Sequence, residues 1–183
     1  MLINKKWAMP NGNTFKIKPI KELILKYIKE NDVILDPFAN EPSIQNFIPS
    51  SCKYISNDLN EKYNTTYHME ATELFKQIED NSIDVVLYDP PYSPNQVKVC
   101  YEELEKTVTV NETRISYWTN FKKEIARVLK PNGICISCMW NTNGIGKNNG
   151  FEQIEILIVS HGSMHNDTLC VVEKNNTKVS NSK

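Results

Sequence analysis

Apolar positions recur along the chain in two alternating rhythms. Over residues 19–30, Ile20, Leu23, Ile24, Tyr27 and Ile28 fall on one face at helical spacing, and Pro19 suits a first turn, where no backbone N–H is needed. Residues 32–35 (Asp-Val-Ile-Leu) form a short β-branched run ending at Asp36-Pro37, the pattern of a buried strand. Lys53–Ser56 predicts a second strand, which ends at Asn57-Asp58, and residues 65–69 predict a third. Residues 73–78 read as helical. Ile83–Tyr88 is the most continuous apolar run; it predicts a central strand that leads into Asp89-Pro90-Pro91-Tyr92. Residues 120–130 place Phe121, Ile125, Val128 and Leu129 on one side of a helix, which Pro131-Asn132-Gly133 stops. Residues 134–140 predict a fifth strand. Phe151–Ser160 and residues 168–173 then predict two more, joined by a turn-rich segment.

Strand–helix alternation followed by a late strand pair predicts an α/β architecture with a mostly parallel sheet and an antiparallel edge. In such sheets ligands sit beyond the carboxyl ends of the strands. Three acids, Asp36, Asp58 and Asp89, fall at those ends, which points to a nucleotide-like cofactor there.

Composition narrows this picture. A chain of 183 residues suits one domain, here residues 1–174, followed by a polar tail at 175–183. No apolar run approaches the ~20 residues a membrane helix needs, and the N-terminus does not read as a signal peptide. The net charge of −1 gives no broad electrostatic footprint for nucleic acid, so such a partner would be met by a local basic surface. Five scattered cysteines imply reduced thiols and a cytoplasmic setting. Cys135 and Cys138 have CxxC spacing, but in a strand residues three apart point to opposite faces, so they read as strand cysteines. His161 and His165, with Asp167 nearby, lie in a turn and lack a clear third ligand; no metal centre is expected.

The tetrapeptide Asp89-Pro90-Pro91-Tyr92 carries the chemistry. Two prolines fix φ and remove two backbone donors, so nearby carbonyls are left as outward acceptors. An acid, a rigid carbonyl and an exposed aromatic face suit an amino group on a planar ring. Asp89 and the Pro90 carbonyl would accept the amino hydrogens while Tyr92 stacks on the ring, freeing the nitrogen lone pair for attack on a methyl sulfonium. The plainer reading is a strand and a proline turn, with Tyr88 and Tyr92 packing.

The tetrapeptide after a hydrophobic strand resembles the catalytic motif of the amino-methyltransferases, chiefly the DNA adenine-N6 family. Asp36-Pro37-Phe38-Ala39-Asn40 resembles that family's cofactor motif. The resemblance implies a Rossmann-like class I methyltransferase fold, with a seven-stranded sheet and helices on both faces. It also implies S-adenosylmethionine as cofactor and DNA as partner. Carried over, Asp36, Pro37 and Phe38 line the methionine end of the cofactor, with Ala39 and Asn40 in the loop beneath. The segment from Thr14 to Lys18-Pro19 resembles the one that meets the methionine carboxylate. Asp58, with Leu59, matches the acid that accepts from the ribose hydroxyls, and Glu70-Ala71 the pair that reads the cofactor's adenine. These motifs span residues 14–92, and their order is that of small orphan adenine methyltransferases of phages and prophages. In these, Trp140-Asn141, His161-Gly162 and His165-Asn166-Asp167-Thr168 would follow.

One departure stands out. The family's cofactor loop is glycine-rich, whereas Asn40-Glu41-Pro42-Ser43 contains none, which implies a reshaped loop or weakened binding. There is no room for a separate recognition domain. Target contacts would come from residues 93–119, with Lys98, Tyr101, Arg114, Tyr117 and Trp118, and from residues 141–150. Trp140, Asn141, His165 and Asn166 would lie at the rim. Basic and aromatic residues interleaved in a loop suit phosphate contact and base stacking; they equally suit a surface loop whose aromatics pack on the sheet. Trp7 and Trp140 are candidates for a pocket wall or for core. The rival readings are N4 methylation of cytosine, methylation of RNA, and a degenerate, non-catalytic binding protein of the same fold.

Overall fold

The computed structural model describes residues 1–107, 115–162 and 165–177. The strands are β1 (Leu2–Trp7), β2 (Val33–Asp36), β3 (Lys53–Ser56), β4 (Ile83–Tyr88), β5 (Leu129–Met139), β6 (Phe151–Ser160) and β7 (Thr168–Asn175). The helices are α1 (Lys18–Tyr27), α2 (Ala71–Gln77), α3 (Pro94–Glu102) and α4 (Ile115–Val128). The strands form one seven-stranded sheet in the order β1-β6-β7-β5-β4-β2-β3. Every neighbouring pair is parallel except those made by β7, which runs antiparallel to β5 on one side and β6 on the other. The antiparallel strand is thus bracketed, and β1 closes the sheet beyond β6.

Alternation along β4 divides the core in two. Val85 and Leu87 pack with Ile20, Leu23 and Ile24 of α1, while Val86 and Tyr88 pack with Leu74 and Phe75 of α2 and Phe121 and Ile125 of α4. Strand period 2 sends neighbours to opposite faces, and helices cover both faces, as a mostly parallel sheet requires. Cys135 joins the α2–α4 side and Cys138 the α1 side, as strand geometry dictates for residues three apart. Among the described residues no helix is long and apolar enough to cross a membrane.

Two elements differ from the sequence expectation. Residues 65–69 make a single bridge, Asn57 to Tyr67, rather than a strand. The Ser56 N–H donates to the Thr66 hydroxyl (3.2 Å) and the Thr66 N–H to the Ser56 hydroxyl (3.1 Å), so side chains take the place of backbone partners and regular pairing stops. The seventh strand is instead β1, whose side chains are exposed apart from half-buried Asn4 and therefore carry no buried-face pattern. It is held by its ladder to β6 and by Asn4, whose amide donates to Glu155 at 2.9 Å. The Pro131-Asn132-Gly133 stop is an excursion within β5: Leu129 pairs with Ile83 and Ile134 with Val85, with four residues looped out between. Asn132 provides the left-handed turn there (φ 65°).

Candidate active site

The carboxyl ends of β2, β3 and β4 open into a cleft of about 400 Å³. Asp36 ends β2 and is fully buried. One of its oxygens accepts from the Tyr54 hydroxyl at 2.6 Å, while Oδ1 has no partner among the described residues. Burial, reinforced by the negative charges of Asp89 and Asp58, pushes its pKa up to about 7. Asp58 follows β3, and its carboxylate accepts from the backbone N–H groups of Asn40 (2.9 Å) and Asn60 (2.8 Å). Burial raises its pKa, and those two N–H bonds hold the rise in check.

Asp89 follows β4. Its carboxylate accepts from the Tyr92 hydroxyl at 2.5 Å. Burial lifts its pKa to about 6 against the hydroxyls of Tyr92 and Thr14, which favour the charged form. Tyr92 is itself fixed through its backbone, whose N–H donates to Gln96 Oε1 at 2.5 Å. Ser93 caps α3 by accepting from the Gln96 N–H, so the helix that begins after the tetrapeptide also orients it. The Pro91 carbonyl accepts from the Trp118 indole at 2.9 Å, which ties α4 to the same turn.

The glycine-free loop has a local explanation. Asn40 stands at φ 50°, the left-handed region that glycine usually fills and asparagine tolerates. Its N–H points at Asp58 as a result. The segment before α1 is pinned across this loop: the Asn13 amide donates to the Glu41 carbonyl (2.5 Å) and Lys16 pairs with the Glu41 carboxylate (2.5 Å). Gly12 and Thr14 of that segment line the cleft.

Of the residues expected to hold a cofactor, Pro37, Phe38, Asn40, Asp58, Leu59, Glu70 and Ala71 line the cleft. Asp36 and Ala39 lie buried beneath it. Lys18 and Pro19 do not line it, which corrects the sequence expectation. Lys18 opens α1, and the helix turns it outward to an exposed position 3.9 Å from Glu22. Thr14 is the residue of that segment that reaches the cleft. Glu70 precedes α2, and its carboxylate accepts from the Tyr101 hydroxyl at 2.7 Å.

A second cavity of about 350 Å³ lies on the other side of Tyr92. Tyr88, Trp118, Lys122, Trp140 and Asn141 contribute to its wall. Trp140 meets Tyr92 edge to face at 5.3 Å and remains 43% exposed, so its ring is open to a ligand. Expected target residues therefore divide. Trp118, Trp140 and Asn141 line this cavity, whereas Tyr101 and Tyr117 line the first cleft. Lys98 is exposed, 3.6 Å from Glu102. His165 and Asn166 are exposed on the β6–β7 turn and line neither cavity; Arg114 lies outside the described residues. Trp7 sits exposed on β1, in neither pocket nor core. His161 is buried, its ring nitrogens bonded to the Ala8 carbonyl (2.9 Å) and the Thr168 hydroxyl (2.8 Å). Sequence reasoning missed Tyr54, Gln96 and Lys122. Each acts through a spatial neighbour distant in sequence or on another turn, although the period of β3 does aim Tyr54 to the side opposite Ile55.

No family model matches the chain. Its fold is the Rossmann-like methyltransferase fold, which it shares with several solved structures. TrmN from Thermus thermophilus superposes with a TM-score of 0.61 at 14% identity, covering 87% of this chain and 49% of that one. The 1,6-didemethyltoxoflavin-N1-methyltransferase of Burkholderia thailandensis, solved with S-adenosylhomocysteine bound, gives 0.60 at 10% identity, covering 87% and 78%. A SAM-dependent methyltransferase from Methanosarcina mazei gives 0.57 at 12%, covering 85% and 98%. Among curated sequences, the type II methyltransferase M.BamHI of Bacillus amyloliquefaciens is 32% identical over 137 residues, 72% of this chain. The chain spans 27% of that protein's length.

Proposed function

We propose that the chain transfers a methyl group from S-adenosylmethionine to the N6 amino group of adenine in DNA. The observation that carries this reading is the position of Asp89. It stands at the end of the central strand, lines the acid-rich cleft and is held by the hydroxyl of Tyr92, the side chain that also borders the aromatic cavity.

The cleft suits the cofactor on its own chemistry. Among the described residues, Asp36, Asp58 and Asp89 gather negative charge around a space lined by no cation, and Asp36 keeps one oxygen unpaired. A ligand bearing an ammonium and a sulfonium answers both features. Asp58, with two N–H donors already placed, retains lone pairs for ribose hydroxyls. When bound, the cofactor supplies an electrophilic methyl group. The fold neighbours with methyltransferase names support this choice, and the type II methyltransferase match supports DNA as the target.

The chain's own residues supply positioning and electrostatics. Asp89 and the Pro90 carbonyl accept the two amino hydrogens, which directs the nitrogen lone pair at the cleft. The Asp89 carboxylate is also placed to take up the proton that the alkylated nitrogen releases. Tyr92 offers its face to the base. A base in duplex DNA would first be flipped from its stack, at a cost of a few kcal/mol.

The test is tritium transfer from labelled cofactor to mixed-sequence DNA, followed by nucleoside analysis. N6-methyladenine from the wild type, with at least a hundredfold loss in Asp89→Ala, is the expected result. N4-methylcytosine as the product would replace adenine by cytosine. No transfer above the Asp89→Ala background would remove the enzyme reading.

A further inference from the structure

Tyr88 is the last residue of β4 and immediately precedes Asp89. It is fully buried, yet its hydroxyl has no hydrogen-bond partner among the described residues. Buried hydroxyls are almost always paired, because an unmade bond forfeits the hydration lost on burial. Tyr88 also forms part of the wall of the second cavity, with Tyr92, Trp118, Lys122 and Trp140 around the same space. An unpaired donor beside an aromatic-walled cavity is a group awaiting a ligand.

We propose that Tyr88 is a specificity-determining residue: the second cavity takes the target base, and the Tyr88 hydroxyl donates to the ring nitrogen adjacent to the amino group held at Asp89. The proposal rests on the amino-methyl-transfer reading above. It deepens that reading by assigning the target's place and a hydrogen bond that recognises it.

The chemistry of the base edge fits. An aminopyrimidine edge presents two N–H donors on the exocyclic nitrogen and, beside them, a ring nitrogen that only accepts. Asp89 and the Pro90 carbonyl only accept and border the first cleft, while Tyr88, the residue before them in the chain, brings an unpaired donor to the second cavity across Tyr92. The order of acceptors and donor on the protein thus complements that of donors and acceptor on the base. Burial raises the Tyr88 pKa, so the hydroxyl keeps its proton at any working pH. Trp140 and Tyr92, which meet edge to face, both border this cavity, and the exposed Trp140 ring is available for stacking.

Tyr88→Phe removes one oxygen and leaves the ring in place. Adenosine and 1-deazaadenosine, in which that ring nitrogen is a C–H, are titrated into the wild type and Y88F while tryptophan fluorescence is followed. Calorimetry with S-adenosylmethionine serves as the control for fold and cleft. Adenosine should bind Y88F roughly tenfold more weakly, and 1-deazaadenosine should bind both proteins alike at the weaker level. Equal adenosine affinity in both proteins, with cofactor binding intact, would overturn the Tyr88 assignment while leaving methyl transfer to adenine standing. A wild type that binds the cofactor but neither adenosine nor its analogue would overturn the placement of the base, whatever the transfer assay shows. Loss of cofactor binding in the wild type itself would point to failure of the underlying reading, and the proposal would fall with it.

Discussion

At Asn40 the backbone takes a conformation that costs most residues 1–2 kcal/mol, in a loop where glycine would be the ordinary solution. Asparagine meets the demand and keeps the N–H aimed at Asp58. Asn40→Gly should leave cofactor affinity within about twofold. Asn40→Ala should lower unfolding stability by about 1 kcal/mol and weaken the cofactor, measured by denaturant titration and calorimetry. Those two outcomes together would show that the glycine-free loop does not mark a degenerate site. Asp89 makes a second residue-level prediction. In the proposed reaction Asp89 acts as an acceptor and needs the charged form, and burial places its pKa at about 6. Methyl transfer should fall as pH drops through 6 and level off above 7, in a kcat/KM profile at saturating cofactor.

Among the elements, α2 and α4 are tied by one side chain. The Arg127 guanidinium donates to the carbonyls of Phe75 (2.6 Å) and Ile78 (2.9 Å) at the end of α2, and it pairs with Glu124 and Asp80 at 2.6 Å each. It satisfies the Ile78 carbonyl beyond the helix end and adds a second donor to the Phe75 carbonyl, which also accepts from the Ile78 N–H. Arg127→Ala should cost about 1–3 kcal/mol, and Arg127→Lys should recover little, since an ammonium lacks the planar fork. Thermal unfolding of the three proteins checks this. The same scale explains what was legible in the sequence. The strands β2, β3, β4, β6 and β7 and helix α1 announced themselves because each buries a regular face, and so did the three strand-end acids. Strand β1 buries no face, and residues 65–69 looked like a strand until the Ser56 and Thr66 hydroxyls interrupted pairing. Lys18 was the natural choice to meet a carboxylate by charge, but helix geometry turned it outward and left Thr14 at the cleft. Contacts such as Tyr54 to Asp36 or Trp118 to Pro91 join distant segments, and local pattern does not reveal them.

For the whole molecule, the three acids make stability depend on pH in a definite direction. Asp36 and Asp89 have folded-state pKa values of about 7 and about 6, and that of Asp58 is also raised. Between the ordinary carboxylate range and these values, the folded state holds protons that the unfolded chain has released. Stability therefore falls as pH rises through that window and levels off above about 7. Ligand-free protein should melt at a higher temperature at pH 5.5 than at pH 8. S-adenosylmethionine should reverse the order, because a cation binds the ionised acids more tightly and its affinity should rise over the same range. Scanning calorimetry with and without cofactor at both pH values checks both signs.

Tyr92 stands between the two cavities, with its hydroxyl on Asp89 and its ring against Trp140. If the two cavities take cofactor and base as proposed, a single partition of this kind makes the two ligands thermodynamic neighbours. Whatever the first occupant does to the order of that side chain is inherited by the second, and linkage requires the effect to be the same in both directions. If the cofactor tightens the grip on the base by some factor, the base must tighten the grip on the cofactor by that factor. Once its methyl group is gone, the cofactor product loses its positive charge and part of its attraction to the acids. On the proposed reading the same coupling then loosens the modified base, which gives the site a built-in route to turnover.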